Sequence, residues 1–239
     1  MKLTPTVPAI YAKLLKAFGP QGWWPLKCKY HPGRYPRLKK QEAFEIGIGA
    51  ILTQNTAWTN VERAIKALHA AHAFEPTHLL ALPQNKLMVL IRPTGYFKQK
   101  AKKLRIFAEY VESLPGHDLR ALKRSSLEQN RKDLLGLWGI GRETADSILL
   151  YALDMEIFVV DAYARRISGR LGILQHSDGD YDVIRKYFEK GIPASSVTFQ
   201  EYHALIVELA KRHCLKSSPR CNTCPLLSDC GFGNAKSLT

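Results

Sequence analysis

The sequence lacks the long apolar run that a membrane span requires, since no stretch approaches roughly 18 to 20 consecutive apolar residues. Its first residues, MKLTPTVPAIYAKLL, carry lysines and prolines where a secretory signal has an apolar run. Acidic residues are also scarce: 21 Asp and Glu stand against 35 Lys and Arg, for a formal net charge of +14. We therefore expect a chain that stays in the compartment where it is made and that binds a polyanion.

The alternation of β-branched and polar residues that is typical of strands is scarce as well, and no internal repeat is present. The apolar residues recur instead at helical spacing. This spacing predicts helices over Gln41–Leu52, Trp58–Ala71 and Lys98–Ser113, with a break at Thr53–Thr56. The sequence therefore predicts an all-α fold.

Cysteine is almost absent until the chain nears its C-terminus. Cys28 stands alone, and the other four residues have the spacing C-x6-C-x2-C-x5-C; they are Cys214, Cys221, Cys224 and Cys230. Disulfides are not expected in a reducing cytosol. A C-x2-C core with two flanking cysteines is typical of a metal centre, and the ligand type alone allows either zinc or an iron–sulfur cluster.

Residues 134–150, LLGLWGIGRETADSILL, predict a short helix, a tight turn at Gly139-Ile140-Gly141 and a second helix that begins near Arg142. Glycines permit unusual backbone conformations, and the N–H groups at a helix start bind phosphate without reading sequence. Twenty residues after Gly141, Asp161 follows the apolar pair Val159-Val160. An aspartate at such a place is ordinarily a helix N-cap.

The hairpin segment, the V-D pair and the cysteine spacing together resemble the helix-hairpin-helix DNA glycosylase superfamily, in particular its endonuclease III branch. The resemblance covers about residues 20 to 230, and one departure is Trp138, where relatives commonly carry proline. It implies two helical domains that flank a cleft: a six-helix barrel with the hairpin over residues 40–155, and a discontinuous iron–sulfur cluster domain over residues 1–39 and 156–239. It also implies a [4Fe–4S] cluster on the four C-terminal cysteines, which favours iron–sulfur over zinc.

Two positions carry the implied chemistry. Asp161 corresponds to the catalytic carboxylate of the family, which stabilises positive charge on the sugar or orients the attacking water. Glu143 stands where bifunctional relatives have the lysine that forms a Schiff base, and a glutamate cannot form an imine. The resemblance therefore implies a monofunctional glycosylase with little AP-lyase activity, in which Glu143 contacts the flipped base or the water.

The family also implies a set of DNA contacts. A flipped base leaves a gap that inserted side chains fill, and the residues at the corresponding places are Gln54 and Tyr96. The other expected DNA-binding residues are Gly139, Gly141, Arg142, Lys216 and Arg220. The implied partner is double-stranded DNA that contains a damaged base, bound by a monomer in the nucleoid-associated cytoplasm.

The aromatic segments indicate the substrate. Gly22–Pro25 and Thr56–Trp58 resemble the branch that excises 3-methyladenine and similar alkylated purines, with a base pocket formed by Trp23, Trp24, Pro25 and Trp58. An alkylated purine is cationic, and aromatic faces attract it by about 0.5 to 2 kcal/mol. Paired tryptophans are otherwise most often core anchors. Oxidised, deaminated or mismatched bases remain alternative substrates, and a non-catalytic iron–sulfur DNA-binding module remains an alternative of another class.

Overall fold

The computed structural model describes residues 6–173 and 180–236, and its regular secondary structure is helical. These residues hold no β-strand beyond an isolated antiparallel bridge between Leu26 and Lys29. The all-α prediction is therefore confirmed. Within the same ranges, none of the helices has the length and apolarity that a membrane crossing requires.

The chain divides into two compact units. The first, here called the cysteine unit, consists of Met1–Trp23, Pro32–Arg34 and Glu156–Thr239; the second, the hairpin unit, consists of Trp24–His31 and Tyr35–Met155. The chain passes from one to the other after Met155, and most of residues 24–39 lie in the hairpin unit. One reason is that Trp24 is buried there, with its ring 5.2 Å from that of Tyr151.

The hairpin unit consists of seven α-helices among the described residues, linked by short 3₁₀ segments and one π-helical turn. The α-helices are α2 (Lys40–Leu52), α3 (Trp58–Ala70), α4 (Pro76–Ala81), α5 (Gln84–Leu90), α6 (Phe97–Ser113), α7 (Leu127–Gly136) and α8 (Arg142–Ser147). The 3₁₀ segments are Arg92–Thr94, Pro115–His117 and Leu119–Arg124, and the π-helical turn Ile148–Ala152 follows α8 directly. The helices predicted around residues 41–52, 58–71 and 98–113 are confirmed.

Helix α2 is the central element of this unit, because every residue from Ala43 to Leu52 is buried. A helix that is apolar on all sides belongs in a core. Gly47 lets the ring of Phe107 approach the helix: a Cβ added there would lie 2.4 Å from the ring. The buried helix fixes the position of the Thr53–Thr56 segment that follows it.

The cysteine unit contains α1 (Val7–Phe18), α9 (Ala162–Leu171), α10 (Tyr181–Gly191), α11 (Ser196–Arg212) and α12 (Gly231–Lys236), with 3₁₀ turns at Cys221–Thr223 and Leu227–Asp229. Its core is aromatic: Phe158 stacks on Phe188 at 4.5 Å, and the ring of Tyr202 lies 5.3 Å from Phe188. The Tyr202 hydroxyl donates to the carbonyl of Val7, which ties α11 to the start of α1. This core supports the start of α9, where Asp161 lies.

Candidate active site

The predicted turn between two helices is present in the hairpin unit, where α7 ends at Gly136 and α8 begins at Arg142. Gly139 has a φ of +84°, which residues other than glycine rarely adopt. A Cβ at Gly139 would also lie 2.6–2.8 Å from side-chain carbons of Lys103. Gly141 has a φ of −94°, and a Cβ there would meet nothing within 4 Å. The turn thus requires glycine at position 139 and not at position 141.

An ion pair joins the two helices of the hairpin. Arg131 on α7 donates from Nε to Asp146 Oδ1 at 2.7 Å and from Nη2 to Oδ2 at 3.1 Å. The Asp146 side chain is fully buried on α8. Bidentate arginine–carboxylate pairs fix both distance and orientation. The pair therefore holds α7 and α8 at the spacing that shapes the turn.

Gln54, the expected wedge residue, is bonded to this turn. Its Nε2 donates to the carbonyl of Gly139 at 3.2 Å and to Oγ1 of Thr144 at 2.9 Å. Its Oε1 accepts from Lys103 Nζ at 2.5 Å. The structure thus brings the segment after α2, the hairpin turn and α6 together around one amide. In this arrangement Gln54 is held against the hairpin, so inserting it into DNA requires these hydrogen bonds to break.

The second expected wedge residue, Tyr96, projects from the loop before α6. Its side chain is 72 % exposed, and its φ of +46° places a non-glycine residue in the left-handed region. Such strain persists only where the surrounding structure imposes it. Lys100, which is buried, donates to the carbonyls of Thr94 and Leu52, each at 2.8 Å. Lys100 therefore fixes the loop that carries Tyr96 to the end of the helix that precedes Gln54.

Burial, together with the smaller effect of the nearby Lys103, lowers the pKa of Lys100 to about 8. A lysine with a lowered pKa is sometimes a nucleophile. Lys100 is only 1 % exposed and its amine already donates to two carbonyls. Its geometry indicates a structural role.

The surface of the hairpin carries Trp138, Arg142 and Glu143. Trp138, which replaces the proline common in relatives, is 47 % exposed, and Lys102 Nζ lies 4.3 Å from the centre of its ring. Arg142 and Glu143 are both exposed in the first turn of α8. An acidic side chain at a helix start also interacts favourably with the helix dipole, and Glu143 occupies such a position.

The four residues of the expected base pocket are divided between the units. In the hairpin unit Trp24 is 8 % exposed, and its ring meets that of Trp58 edge-to-face at 5.5 Å. Gly49 leaves room for it, because a Cβ there would lie 3.2 Å from the indole. Pro25 beside it is buried. In the cysteine unit Trp23 is half-buried, and Lys211 Nζ lies 5.5 Å from its ring centre. Trp24 thus serves as a core anchor, while Trp23 and Trp58 keep some exposed surface.

Asp161 is the N-cap of α9, as its position after Val159-Val160 predicts. Its Oδ1 accepts from the backbone N–H of Ala164 at 2.7 Å, and its Oδ2 lies 3.7 Å from Nε2 of His203 on α11. The Asp161 side chain is 13 % exposed and that of His203 is 6 % exposed. The carboxylate is therefore held in place by one oxygen and is not sealed inside the unit.

The four C-terminal cysteines line one small cavity of about 30 Å³ in the cysteine unit. Three of their sulfurs have N–H donors: Arg170 donates to Cys214 Sγ at 3.2 Å, the backbone of Gly233 donates to Cys230 Sγ at 3.3 Å, and the backbone of Leu226 donates to Cys224. Cys28 belongs to the hairpin unit. Within residues 6–173 and 180–236, no three His, Cys, Asp or Glu side chains are arranged around the position of a single metal ion.

The pKa of Cys224 is raised to about 11, chiefly by burial and also by the three neighbouring thiols, against the opposing effect of the Leu226 backbone N–H. Burial likewise raises the pKa of Cys230, against the opposing effect of the Gly233 N–H. Four thiolates so close together repel one another. The cavity therefore disfavours thiolates unless a positive group balances their charge.

Lys216 and Arg220 are both exposed on the segment that joins the first two of these cysteines. The arginines of α9 hold this segment: Arg166 donates to the carbonyl of Cys214, and Arg170 donates to the carbonyls of Leu215 and Lys216. Three consecutive backbone carbonyls are thus held from a single helix. The segment is presented to solvent in a defined shape.

Several of these residues escaped the sequence reasoning: Lys100, Lys103, the Arg131–Asp146 pair, His203 and Arg170. A signal existed for Lys100, which occupies the apolar stripe of α6 together with Leu104, Phe107 and Val111 at helical spacing. A lysine on such a stripe must find buried acceptors. No comparable signal marks the other residues, because their partners are distant in sequence or are backbone groups.

Comparison with known proteins agrees with this geometry. A Methanocaldococcus jannaschii protein with the provisional name DNA repair glycosylase is 42% identical over 222 residues, which is 92% of this chain and 94% of that protein. The structure of a non-covalent endonuclease III–DNA complex superposes with a TM-score of 0.76 at 22% identity, covering 98% of this chain and 97% of that one. The Helicobacter pylori 3-methyladenine DNA glycosylase bound to 1,N6-ethenoadenine gives a TM-score of 0.68 at 28% identity, covering 88% and 97%.

The family model described as HhH-GPD superfamily base excision DNA repair protein matches residues 48–194, which is more than half of the chain. The matched range contains the last five residues of α2, the hairpin, the π-helical turn and Asp161. The chain belongs to the HhH-GPD superfamily of base excision DNA repair proteins, as a DNA repair glycosylase.

Proposed function

We propose that this glycosylase is monofunctional and hydrolyses the N-glycosidic bond of a damaged base that has flipped out of double-stranded DNA. The observation that carries the proposal is the fixed, partly exposed carboxylate of Asp161. Breaking the bond leaves its electron pair on the base and builds positive charge on the sugar, which a carboxylate stabilises. Water then bonds to the sugar carbon and gives its proton to the carboxylate or to the departing base.

The N-cap geometry supports this role. Because Oδ1 is occupied by the Ala164 N–H, the carboxylate cannot rotate freely, and Oδ2 is the oxygen left for the sugar or the water. Preorganised charge stabilises a transition state without the cost of reorienting during the reaction. His203 lies on the side of Oδ2, with its Nε2 3.7 Å away and outside hydrogen-bond distance.

The test is Asp161→Asn, because asparagine also caps helices and keeps the shape of the side chain. We expect base release to fall by about 10² to 10⁴-fold, with the affinity for a damaged duplex unchanged in a gel-shift titration. Base release at the wild-type rate would overturn the role of Asp161. If the wild type releases nothing from a broad panel of damaged duplexes, the chain is a DNA-binding module instead.

The monofunctional part of the proposal depends on Glu143. This exposed side chain is the residue that replaces the lysine of bifunctional relatives, and a carboxylate cannot form an imine with the opened sugar. Borohydride treatment of the protein on abasic DNA should therefore leave no covalent adduct. Efficient trapping would refute this part while leaving glycosylase activity intact. A loss of base release in Glu143→Gln without a loss of DNA affinity would place Glu143 at the water or the base.

The DNA contacts follow from the exposed groups. The hairpin turn at Gly139, Gly141 and Arg142 offers N–H groups and a cation to one stretch of backbone, and Lys216 and Arg220 offer cations to another. Gln54 and Tyr96 fill the gap that the flipped base leaves. We expect a monomer to bind damaged duplex in this way in the nucleoid-associated cytoplasm.

For the substrate we propose an alkylated purine such as 3-methyladenine. The support is the exposed aromatic surface of Trp23 and Trp58 and the likeness to a glycosylase solved with a modified adenine. A cationic base is attracted by aromatic faces and already leaves readily, so no general acid is needed. A panel of duplexes bearing alkylated, oxidised, deaminated or mismatched bases tests the choice. Faster release of any other class than of 3-methyladenine would contradict it.

We further propose that the four cysteines hold a [4Fe–4S] cluster. The donor set fits, because the four thiols line one cavity and three of the sulfurs receive N–H donors, as cluster sulfurs commonly do. When bound, the cluster supplies the positive charge that balances the thiolates. The chain's own part is to present Cys214, Cys221, Cys224 and Cys230 and to shape the intervening segment. Brown colour with a broad visible absorbance band supports the proposal, and a colourless protein that contains zinc would refute it.

A further inference from the structure

A cationic cavity lies in the hairpin unit, away from the hairpin turn itself. Its volume is about 340 Å³, and it is lined by Arg37, Leu38, Pro115, Asp118, Arg120, Ala121, Lys123 and Arg124. Leu38 lies two residues before α2, whereas Gln54 lies two residues after it. The 13 residues of α2 span about 20 Å. The cavity is therefore separate from the surface where the wedge residue and the hairpin turn lie.

The only acidic residue of this lining is neutralised. Arg120 donates from Nε to both oxygens of Asp118 at 3.0 Å and from Nη2 to Oδ2 at 2.6 Å. Although burial acts to raise the pKa of Asp118, these hydrogen bonds outweigh it and hold the pKa below its usual range. Beyond the lining, Lys40 faces Asp118 and Glu42 faces Arg120, and their charges cancel.

Arg120 is held in a fixed orientation as well, because its Nη1 donates to the carbonyl of Leu38 at 3.0 Å. Lys123 pairs with Asp154 at 2.7 Å, and both of these side chains are exposed. The charges of Arg120 and Lys123 are thus each balanced by a carboxylate, and the fixed guanidinium gives this side of the cavity a defined shape. Preorganised cations bind anions at a lower entropic cost.

Arg37 and Arg124 complete the lining. Both are exposed, and neither makes a hydrogen bond or an ion pair with any residue in the described ranges. A single unpaired arginine on a surface is ordinary. Two of them on one concave surface, where the lining's single carboxylate is already paired with Arg120, offer the forked donors that phosphate groups accept.

We propose that this cavity is a phosphate-binding site, distinct from the surface that handles the damaged base. Its ligand class is a group with two or more linked or neighbouring phosphates. Such groups come either from a free polyphosphate, for which inorganic pyrophosphate is the probe, or from the backbone of a second DNA segment. The volume lies at the lower end of the range for small-molecule sites, and the floor of Leu38 and Ala121 leaves room beside the cations.

The test is a calorimetric titration of the full-length, cluster-loaded protein with pyrophosphate at about 150 mM salt, where weak surface attraction is screened. We expect saturable binding with one site per chain. The double variant Arg37→Gln/Arg124→Gln should weaken it by about tenfold or more. The matched control is Arg63→Gln/Lys66→Gln, which removes the same charge from exposed positions of α3 and should change the affinity by less than about twofold.

A second arm identifies the source of the phosphate. A short undamaged duplex is titrated against the wild type and both double variants. If the wild type binds two duplexes per chain and only Arg37→Gln/Arg124→Gln loses the second binding event, the result supports the site with DNA as its ligand. The site is overturned if neither probe binds there, or if both variants lose affinity equally, since equal loss reports net charge alone. Base release by the double variant at the wild-type rate on single-site substrates shows that the cavity and the proposed active site are separate. A rate that falls together with pyrophosphate affinity overturns that separation.

Discussion

The hairpin unit and the C-terminal segment of the cysteine unit are organised by opposite means. In α2 ten consecutive residues are buried, and elsewhere in the unit the buried carboxylate of Asp146 is paired with Arg131. Between residues 214 and 235 only Leu226 and Gly233 are buried. The order in that segment comes from hydrogen bonds to Arg166 and Arg170 and from four thiols around one cavity.

This difference has a physical consequence. Burial of apolar surface is the main favourable contribution to folding, so a segment that buries almost none needs another source of stability. Metal binding is such a source, since the free energy of binding becomes free energy of folding. We therefore expect the hairpin unit to keep its structure without a cofactor. The segment that carries Lys216 and Arg220 should lose its structure when the cofactor is absent.

The largest expected effect is that of removing the proposed cluster. Oxidation and chelation should raise amide hydrogen exchange across residues 214–235 by about 100-fold or more, while residues 43–52 of α2 keep their protection. Hydrogen exchange with mass spectrometry, before and after treatment, measures both segments in one sample. Equal loss of protection in both segments would show that they are not independently stable. No change in either segment would show that the cluster does not stabilise the fold.

The next effect tests the hairpin unit from within. Arg131→Met leaves the fully buried carboxylate of Asp146 without the arginine, and we expect it to lower the free energy of unfolding by about 3 to 5 kcal/mol. Urea unfolding followed by circular dichroism gives the value. The matched control is Lys132→Met at the adjacent exposed position, which should change stability by less than about 0.5 kcal/mol. Similar values for the two variants would mean that the ion pair does not hold the hairpin.

A smaller effect separates the two glycines of the turn. Gly139→Ala forces a φ of +84° on a residue with a Cβ and displaces Lys103, so we expect a loss of about 1 to 3 kcal/mol. Gly141 has an ordinary φ and open space around it, so Gly141→Ala should change the free energy of unfolding by no more than about 0.5 kcal/mol. Both values come from the same urea series. Equal costs would show that the turn is not held in the conformation described.

The smallest effect is the pH dependence due to Lys100. Its pKa is about 8 in the folded protein against 10.5 for an ordinary lysine, so the unfolded chain binds the proton more tightly between these values. The free energy of unfolding therefore gains a contribution that grows as pH rises from about 8 to about 10.5. Compared with Lys100→Met, the wild type should become relatively more stable between pH 7.5 and pH 9.5.

The control for this comparison is Lys98→Met at an exposed position of the same helix, whose stability should follow the wild type across the range. Parallel curves for the wild type and Lys100→Met would show that Lys100 titrates at the same pH in the folded and unfolded chains.

Helical periodicity alone located α2, α3 and α6 to within a residue or so, because apolar stripes are a local property of the chain. The glycine turn and the position of Asp161 at a helix start also follow from local signals. What escaped was the set of partners: nothing near Gln54 in the sequence indicates that its amide meets Gly139 and Lys103. The two tryptophans of Gly22–Pro25 are likewise indistinguishable in sequence, although the structure buries Trp24 and leaves Trp23 half-exposed.

The sequence by itself determined the fold class, the hairpin, the cysteine spacing and the absence of a lysine at position 143, since each is written in neighbouring residues. Only the tertiary structure decided which polar groups are buried, how Gln54 is held, that His203 faces Asp161 and that Arg37, Arg120 and Arg124 line one cavity. The physical reason is the separation along the chain over which each kind of interaction acts. Backbone propensity and periodicity act over a few residues, whereas hydrogen bonds and ion pairs join groups that only packing brings together.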